Sequence, residues 1–253
     1  MTKRNKDVMT ARDFLEGLIL PPKCYVCGDI MNVEDNQTVL CEKCLEKWNA
    51  EREKECQRCL RTAQFCKCGT TYGKSNLISS FSSCIMYESE FSKQAIAQLK
   101  YKGYRKYVKF LARQLLNNIY MTYDLDFSNC IIAYPPRSLS SRIRYGFDHA
   151  KLLANETAKM INVPVFHGIR HKGKTEQKYL DFKNRGKNAF ASFYIKNKEE
   201  ARSEVQGKTV ILIDDIITSG ATGVCIAALL HNCGAECVRL FTVGKTTPYF
   251  TRK

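Results

Sequence analysis

The sequence predicts an α/β fold, a parallel sheet flanked by helices, preceded by a small cysteine-rich module at the N-terminal side. Three observations predict it. From about residue 77 onward, short β-favouring apolar runs alternate with helical patterns, the mark of a parallel sheet. Val210-Ile-Leu-Ile213 is unbroken in its apolar character, as a strand buried on both faces requires, and it runs straight into Asp214, Asp215 and a small hydroxyl-rich turn. Finally, the chain of 253 residues has thirteen cysteines, and eight of them fall between residues 24 and 68.

Taken in order, residues 1–20 are expected to form a short helix, 21–70 the cysteine module, and 77–253 the α/β domain. Gly69-Thr-Thr-Tyr-Gly-Lys-Ser-Asn76 has the composition of a linker. Strands are expected at Phe81–Tyr87, Cys130–Tyr134, Ala189–Ile195, Thr209–Ile213 and Cys237–Val243. Helices are expected at Lys93–Lys100, Tyr107–Tyr120, Asp148–Ile161 and Gly223–Asn232. There is no internal repeat beyond the paired cysteine knuckles and no low-complexity tract.

Cysteine spacing identifies the module's chemistry. Cys24-x-x-Cys27 and Cys41-x-x-Cys44 are separated by thirteen residues, room for one hairpin, as in a zinc ribbon. Cys56-x-x-Cys59 with Cys66-x-Cys68 supplies four further thiols, for a second metal or for sites that interleave with the first. One or two structural Zn²⁺ ions are expected, because four thiolates close the coordination sphere and leave no position for water. A disulfide framework would need an oxidising compartment. The apolar stretch Phe14–Leu20 is interrupted by Glu16 and too short for a secretory signal core, so a cytoplasmic, reduced setting is expected. No run approaches the roughly 18 apolar residues of a membrane span. Cys84, Cys130, Cys225, Cys233 and Cys237 sit in apolar contexts and are expected in the core.

The acidic turn carries the binding chemistry. Ligands of parallel sheets sit at strand C-terminal ends. There Thr218, Ser219, Gly220, Ala221 and Thr222 can offer backbone N–H groups, hydroxyls and the start of a following helix to a phosphate, with Gly220 allowing close approach. No lysine lies within the turn, which separates it from the Gly-x-x-x-x-Gly-Lys loop of nucleoside triphosphatases. Asp214 and Asp215 can accept hydrogen bonds from vicinal sugar hydroxyls or hold hydrated Mg²⁺. A ribose phosphate satisfies both halves of this arrangement. The stretch resembles the phosphoribosyl pyrophosphate signature of type I phosphoribosyltransferases, which implies that fold and makes Asp214 and Asp215 the candidate catalytic residues. Several purine-using members have an aspartate at the position of Thr218 as general base; a threonine hydroxyl is a poor base at neutral pH.

A wider set of blocks resembles the ComF family, in which a zinc ribbon precedes a phosphoribosyltransferase-like domain. They are Pro21-Pro-x-Cys24-x-x-Cys27, Tyr87-Glu, Leu99-Lys-Tyr-Lys-Gly103, Pro136-x-Ser138, Gly146-Phe147, Gln177-x-x-Leu180, Arg185-x-x-Asn188 and the 210–222 signature. The resemblance implies a role in competence and DNA uptake, with a competence helicase as a candidate partner. It also implies that the loop holding Arg137 and Ser138 binds pyrophosphate. The chain departs from the family there. It has Tyr134-Pro-Pro-Arg-Ser138 for Pro-Val-Pro-Leu-Ser, and Tyr145-Gly-Phe-Asp-His149 for Arg-Gly-Phe-Asn-Gln. Arg137 adds a cation suited to phosphate oxygens; Tyr145 removes one, which Arg142 or Arg144 can replace. His149 is either a pH-tuned base or a histidine satisfied at a helix start.

Net charge is +15, and the excess is uneven. From Phe91 to Tyr123 there is no acid, while Lys93, Lys100, Lys102, Arg105, Lys106, Lys109 and Arg113 alternate with Tyr101, Tyr104 and Tyr107. Cations interleaved with aromatics suit single-stranded DNA, with Lys100, Lys102, Arg105 and Lys106 on the backbone and rings stacking bases. A solvated amphipathic helix gives the same pattern. Arg170 to Lys187 carries seven cations against two acids, as a loop closing over a polyphosphate would.

Two functions remain open at this point. One is an enzyme moving ribose 5-phosphate from pyrophosphate to a nitrogen base. The other is a protein that binds phosphoribosyl pyrophosphate or a nucleotide with Mg²⁺ and handles single-stranded DNA.

Overall fold

The computed structural model describes residues 21–31, 38–68, 76–102, 104–122, 125–139, 142–143, 146–172 and 192–246, without the side chains of 100–102 and 122. The helix expected over 1–20, the linker as far as residue 75, Arg144, Tyr145 and most of the 170–187 stretch lie outside these residues. The chain divides into two compact units, Met1–Lys47 and Trp48–Lys253.

In the first unit a knuckle forms around Cys24 and Cys27. Lys23 and Ile30 bridge antiparallel, Gly28 N–H donates to the Cys24 carbonyl at 2.9 Å, and Gly28 turns the chain at φ 82°. Only glycine adopts that backbone without strain.

The second unit holds a four-stranded sheet in the order β1-β6-β5-β2, formed by β1 (Ser80–Met86), β2 (Cys130–Ala133), β5 (Thr209–Ile217) and β6 (Cys237–Lys245). All three pairings are parallel. β5 and β6 lie in the middle, and Val210 to Ile213 is buried throughout, which is why that stretch carries no polar alternation. The other elements in chain order are α1 (Glu42–Glu53), α2 (Glu90–Lys102), α3 (Arg105–Thr122), α4 (His149–Ile161), β3 (Ile169–His171), β4 (Phe193–Ile195), α5 (Lys198–Val205) and α6 (Ala221–Asn232).

α3 packs on β1, β6 and α4, while α4 packs on β2 and β5. Leu111, Leu115 and Ile119 on α3 are completely buried, spaced four residues apart on one stripe. Inside this layer Asn118 Nδ2 donates to Ser82 Oγ at 3.1 Å. Trp48 on α1, fully buried, meets the Phe110 ring edge-on at 5.3 Å and donates Nε1–H to Gln114 Oε1 at 3.3 Å. A second core cluster joins Val210, Leu212, Val238 and Leu240 of the sheet to Ile226, Ala227 and Leu230 of α6.

Of the strand expected at Ala189–Ile195, residues 189–191 lie outside the described residues, and Phe193–Ile195 belongs to a separate antiparallel pair, β3 with β4. Its alternation of buried Phe193 with exposed Tyr194 fits a half-buried ribbon and not the sheet interior. α5 went unpredicted because it is short and charged; Asn197 caps it by accepting from the N–H groups of Glu199 and Glu200. Cys237, at the first position of β6, is half-buried, whereas the other four cysteines outside the module are buried as expected. No helix among the described residues is long and apolar enough to cross a membrane.

Candidate functional site

β5 ends in the turn that opens α6. Gly220 sits at φ 80°, ψ 1° as the residue preceding the helix, and its carbonyl accepts the first helical hydrogen bond, from Val224 N at 3.0 Å. A residue with a Cβ, asparagine apart, would be strained there. Gly220 has no side chain to cap α6, and Ser219 Oγ accepts from Ala221 N at 3.4 Å; the start of a helix is an arrangement that favours an anion. A pocket of about 380 Å³ of empty space opens here, lined by Pro135, Asp214 and all of Thr218 to Thr222, on a floor of Leu212, Ile226 and Leu240.

The two acids are not equivalent. Side chains alternate along a strand, and Asp214 lines the pocket with Leu212 and Ile216, while Asp215 does not. Asp214 Oδ1 accepts from Asp215 N at 2.8 Å. Asp215 is 8 % exposed. Its Oδ1 accepts from Ile216 N at 2.7 Å, and its Oδ2 lies 2.8 Å from His149 Nε2.

His149 is the first residue of α4, 4 % exposed. A carboxylate oxygen at 2.8 Å requires the proton on Nε2. Arg137 Nη2 lies 3.2 Å from the same nitrogen. Asp148 joins the loop from below. Its Oδ2 accepts from Arg137 N at 2.8 Å and its Oδ1 caps α4 through Lys151 N at 3.3 Å. Asp148, His149, Arg137 and Asp215 thus tie the loop after β2 to the end of β5. The other ring nitrogen of His149, Nδ1, is buried and meets no hydrogen-bond partner among the described residues. Arg137 and Ser138 are both half-buried in that loop, where Tyr134 meets His167 Nδ1 at 3.1 Å. Burial pushes the Tyr134 hydroxyl up and the His167 ring down from their ordinary values.

The cysteines form two sets of four, Cys24, Cys27, Cys41 and Cys44 in the first unit and Cys56, Cys59, Cys66 and Cys68 in the second. Within each set all the sulfur atoms lie within 4.8 Å of one another, so the pairs do not interleave. No disulfide joins the described cysteines. Both donor sets fit a tetrahedral Zn²⁺. Burial pushes the Cys24 and Cys56 thiols up, but backbone hydrogen bonds outweigh it and bring each down to about 7. N–H···S bonds of this kind stabilise a thiolate ligand. Burial raises Cys27 to about 11 and Cys66 to about 12, the latter against the opposing charge of Lys245. The second knuckle repeats the first, with Glu55 and Thr62 bridging antiparallel and Leu60 N donating to the Cys56 carbonyl at 2.9 Å. Leu60 occupies the place of Gly28, with a positive φ of 54°.

Of the basic region, Lys93, Arg105, Lys106, Lys109 and Arg113 are exposed. The side chains of Lys100 and Lys102 lie outside the described residues. Tyr104 is exposed, but Tyr107 is not available to stack a base. It is completely buried, stacks on Phe110 at 6.0 Å and donates its hydroxyl to the Ala95 carbonyl at 3.0 Å. Its place beside cations in the sequence reflects the boundary between the two faces of α3.

Sequence reasoning missed Lys245, the last residue of β6 and completely buried. Its only signal is a lysine closing an apolar strand.

Compared with curated proteins, the chain finds no match. Residues 149–246 match the family model of the phosphoribosyl transferase domain. That segment begins at His149 and runs through the β5 turn, α6 and β6, so the second unit carries a phosphoribosyltransferase-like domain.

Proposed function

We propose that this protein is a ComF-type phosphoribosyltransferase-like protein that binds phosphoribosyl pyrophosphate or a nucleotide with Mg²⁺, handles single-stranded DNA, and serves DNA uptake in competence. The observation that carries the ligand is the common pocket of Asp214 and the Thr218–Thr222 turn at the end of a central parallel strand. In this reading the turn and the start of α6 hold the 5-phosphate, and Asp214 accepts from the ribose hydroxyls. Arg137 and Ser138 hold the pyrophosphate, and Mg²⁺ bound with it neutralises its charge. Asp215, grouped with Asp214 by its position, has its Oδ2 beside His149 and would act on the sugar through the shape of the strand end.

Single-stranded DNA is supported by the exposed cations Arg105, Lys106, Lys109 and Arg113 on α3, with Lys100 and Lys102 beside them in sequence. Eight thiols arranged for zinc support a reducing, cytoplasmic setting. A competence helicase is the partner that the ComF resemblance suggests.

Ligand-dependent thermal stabilisation tests the pocket. Phosphoribosyl pyrophosphate with Mg²⁺ should raise Tm in the parent and not in Asp214→Asn. No shift in the parent would remove the reading. Turnover of a nitrogen base would make the protein a transferase.

A further inference from the structure

Lys245 is a completely buried lysine: its exposure is 0 %. A lysine is almost never fully buried unless a counter-charge accompanies it, because an isolated ammonium is strongly disfavoured in a protein interior. No carboxylate pairs with Lys245 among the described residues. Its ammonium donates to the carbonyl oxygen of Cys68 and lies 5.8 Å from the centre of the Phe81 ring. A carbonyl and a ring face offer partial charges only. The charge of Lys245 also acts on Cys66, one of the set Cys56, Cys59, Cys66 and Cys68 that packs with Ala63 against Met86. Four thiolates around Zn²⁺ carry a net charge of −2, which is the counter-charge that the ammonium lacks.

The same residue is part of the sheet. Lys245 stands in register with Met86 of β1 on one side and Ile217 of β5 on the other. Its carbonyl accepts from Tyr87 N at 2.7 Å, and Thr246 N donates to the Ile217 carbonyl at 3.0 Å. Ile217 immediately precedes Thr218.

We infer that Lys245 is the charge partner of a metal tetrathiolate at Cys56, Cys59, Cys66 and Cys68, holding that site to the sheet end where the Thr218–Thr222 turn begins. The lysine positions and neutralises; it is not a ligand. This inference concerns the metal site and does not depend on which ligand the pocket takes.

The test is zinc transfer from the full-length protein to a chromophoric chelator, with Cys24→Ser/Cys27→Ser protein identifying the signal of the second site. Lys245→Met should release second-site zinc at roughly 10- to 100-fold lower chelator, the usual cost of removing an outer-shell partner. Lys245→Arg should behave as the parent, and first-site zinc should be unchanged. Thermal midpoints supply an independent sign. In the intact chain Lys245→Met should lower Tm, and in a Cys56→Ser/Cys59→Ser background, where the ammonium has no counter-charge, it should raise Tm. If Lys245→Met fails to fold alone but folds in the serine background, the inference stands. Zinc release like the parent's, a Tm change of the same sign in both backgrounds, or failure to fold in both, overturns it.

Discussion

Nε2 of His149 and Oδ2 of Asp215 lie 2.8 Å apart, one at the start of α4 and the other at the end of β5. The contact joins a helix to the strand that carries the pocket, and it occupies the second acid of the Asp-Asp pair. His149→Ala leaves a buried carboxylate oxygen without its donor. It should cost about 2 kcal/mol in chemical denaturation, the range for a hydrogen bond to a charged group. His149→Gln, which can still present an N–H, should recover most of it. Equal losses in both variants would mean that packing, and not the donor, matters.

Leu60 holds a left-handed backbone at φ 54° while its side chain is 70 % exposed, so it bears strain without burial to offset it. Leu60→Gly should stabilise the second unit by about 1 kcal/mol, the cost of that conformation for a residue with a Cβ. Gly28→Leu in the matching position should destabilise. A thermal melt of each reads the sign.

Each cysteine set contains two thiols held above their ordinary value by burial, Cys27 and Cys44 in the first and Cys66 and Cys68 in the second. Zinc must displace those protons, so metal affinity rises with pH and falls as the solution is acidified. Calorimetry in buffers of different ionisation enthalpy at pH 8 should find at least two protons released per zinc, matching these two raised thiols in each set. Release of none would mean that the thiols are already ionised or are not ligands.

At the start of α3 the structure separates two tyrosines that look alike in the sequence, Tyr104 just before the helix and Tyr107 within it. Tyr104→Ala should weaken single-stranded DNA binding, and Tyr107→Phe should leave it unchanged while costing about 1 kcal/mol of stability for the lost hydrogen bond. Replacing Lys100, Lys102, Arg105 and Lys106 with glutamate should abolish binding at low salt. Parent-like binding by that variant would reduce the region to a solvated face.

Much of this architecture is legible in the chain. Strands buried on both faces, such as Val210–Ile213, announce themselves, and so does a glycine at a strand-to-helix turn. The grouping of eight cysteines follows from spacing alone only as far as candidate pairs. Which pairs share a metal depends on chain reversals such as the one at Leu60, where no glycine marks the turn. Period-two alternation could have separated Asp214 from Asp215, because adjacent strand residues face opposite ways. Neither Lys245 nor the His149 contact could be read in advance. Each depends on residues distant in sequence, and a lone lysine or histidine carries no spacing pattern.

The central claim is that the pocket at the end of β5 takes a ribose phosphate, and a calorimetric titration with phosphoribosyl pyrophosphate in the presence of Mg²⁺ tests it most directly. The parent should bind one equivalent, Asp214→Asn should lose about tenfold or more in affinity as one charge-assisted acceptor is weakened, and Gly220→Asn should bind neither this ligand nor ribose 5-phosphate. Asparagine tolerates the left-handed backbone of position 220, so the fold survives while its side chain obstructs the phosphate. Absence of binding to the parent at millimolar ligand, or unchanged binding in both variants, would contradict the account.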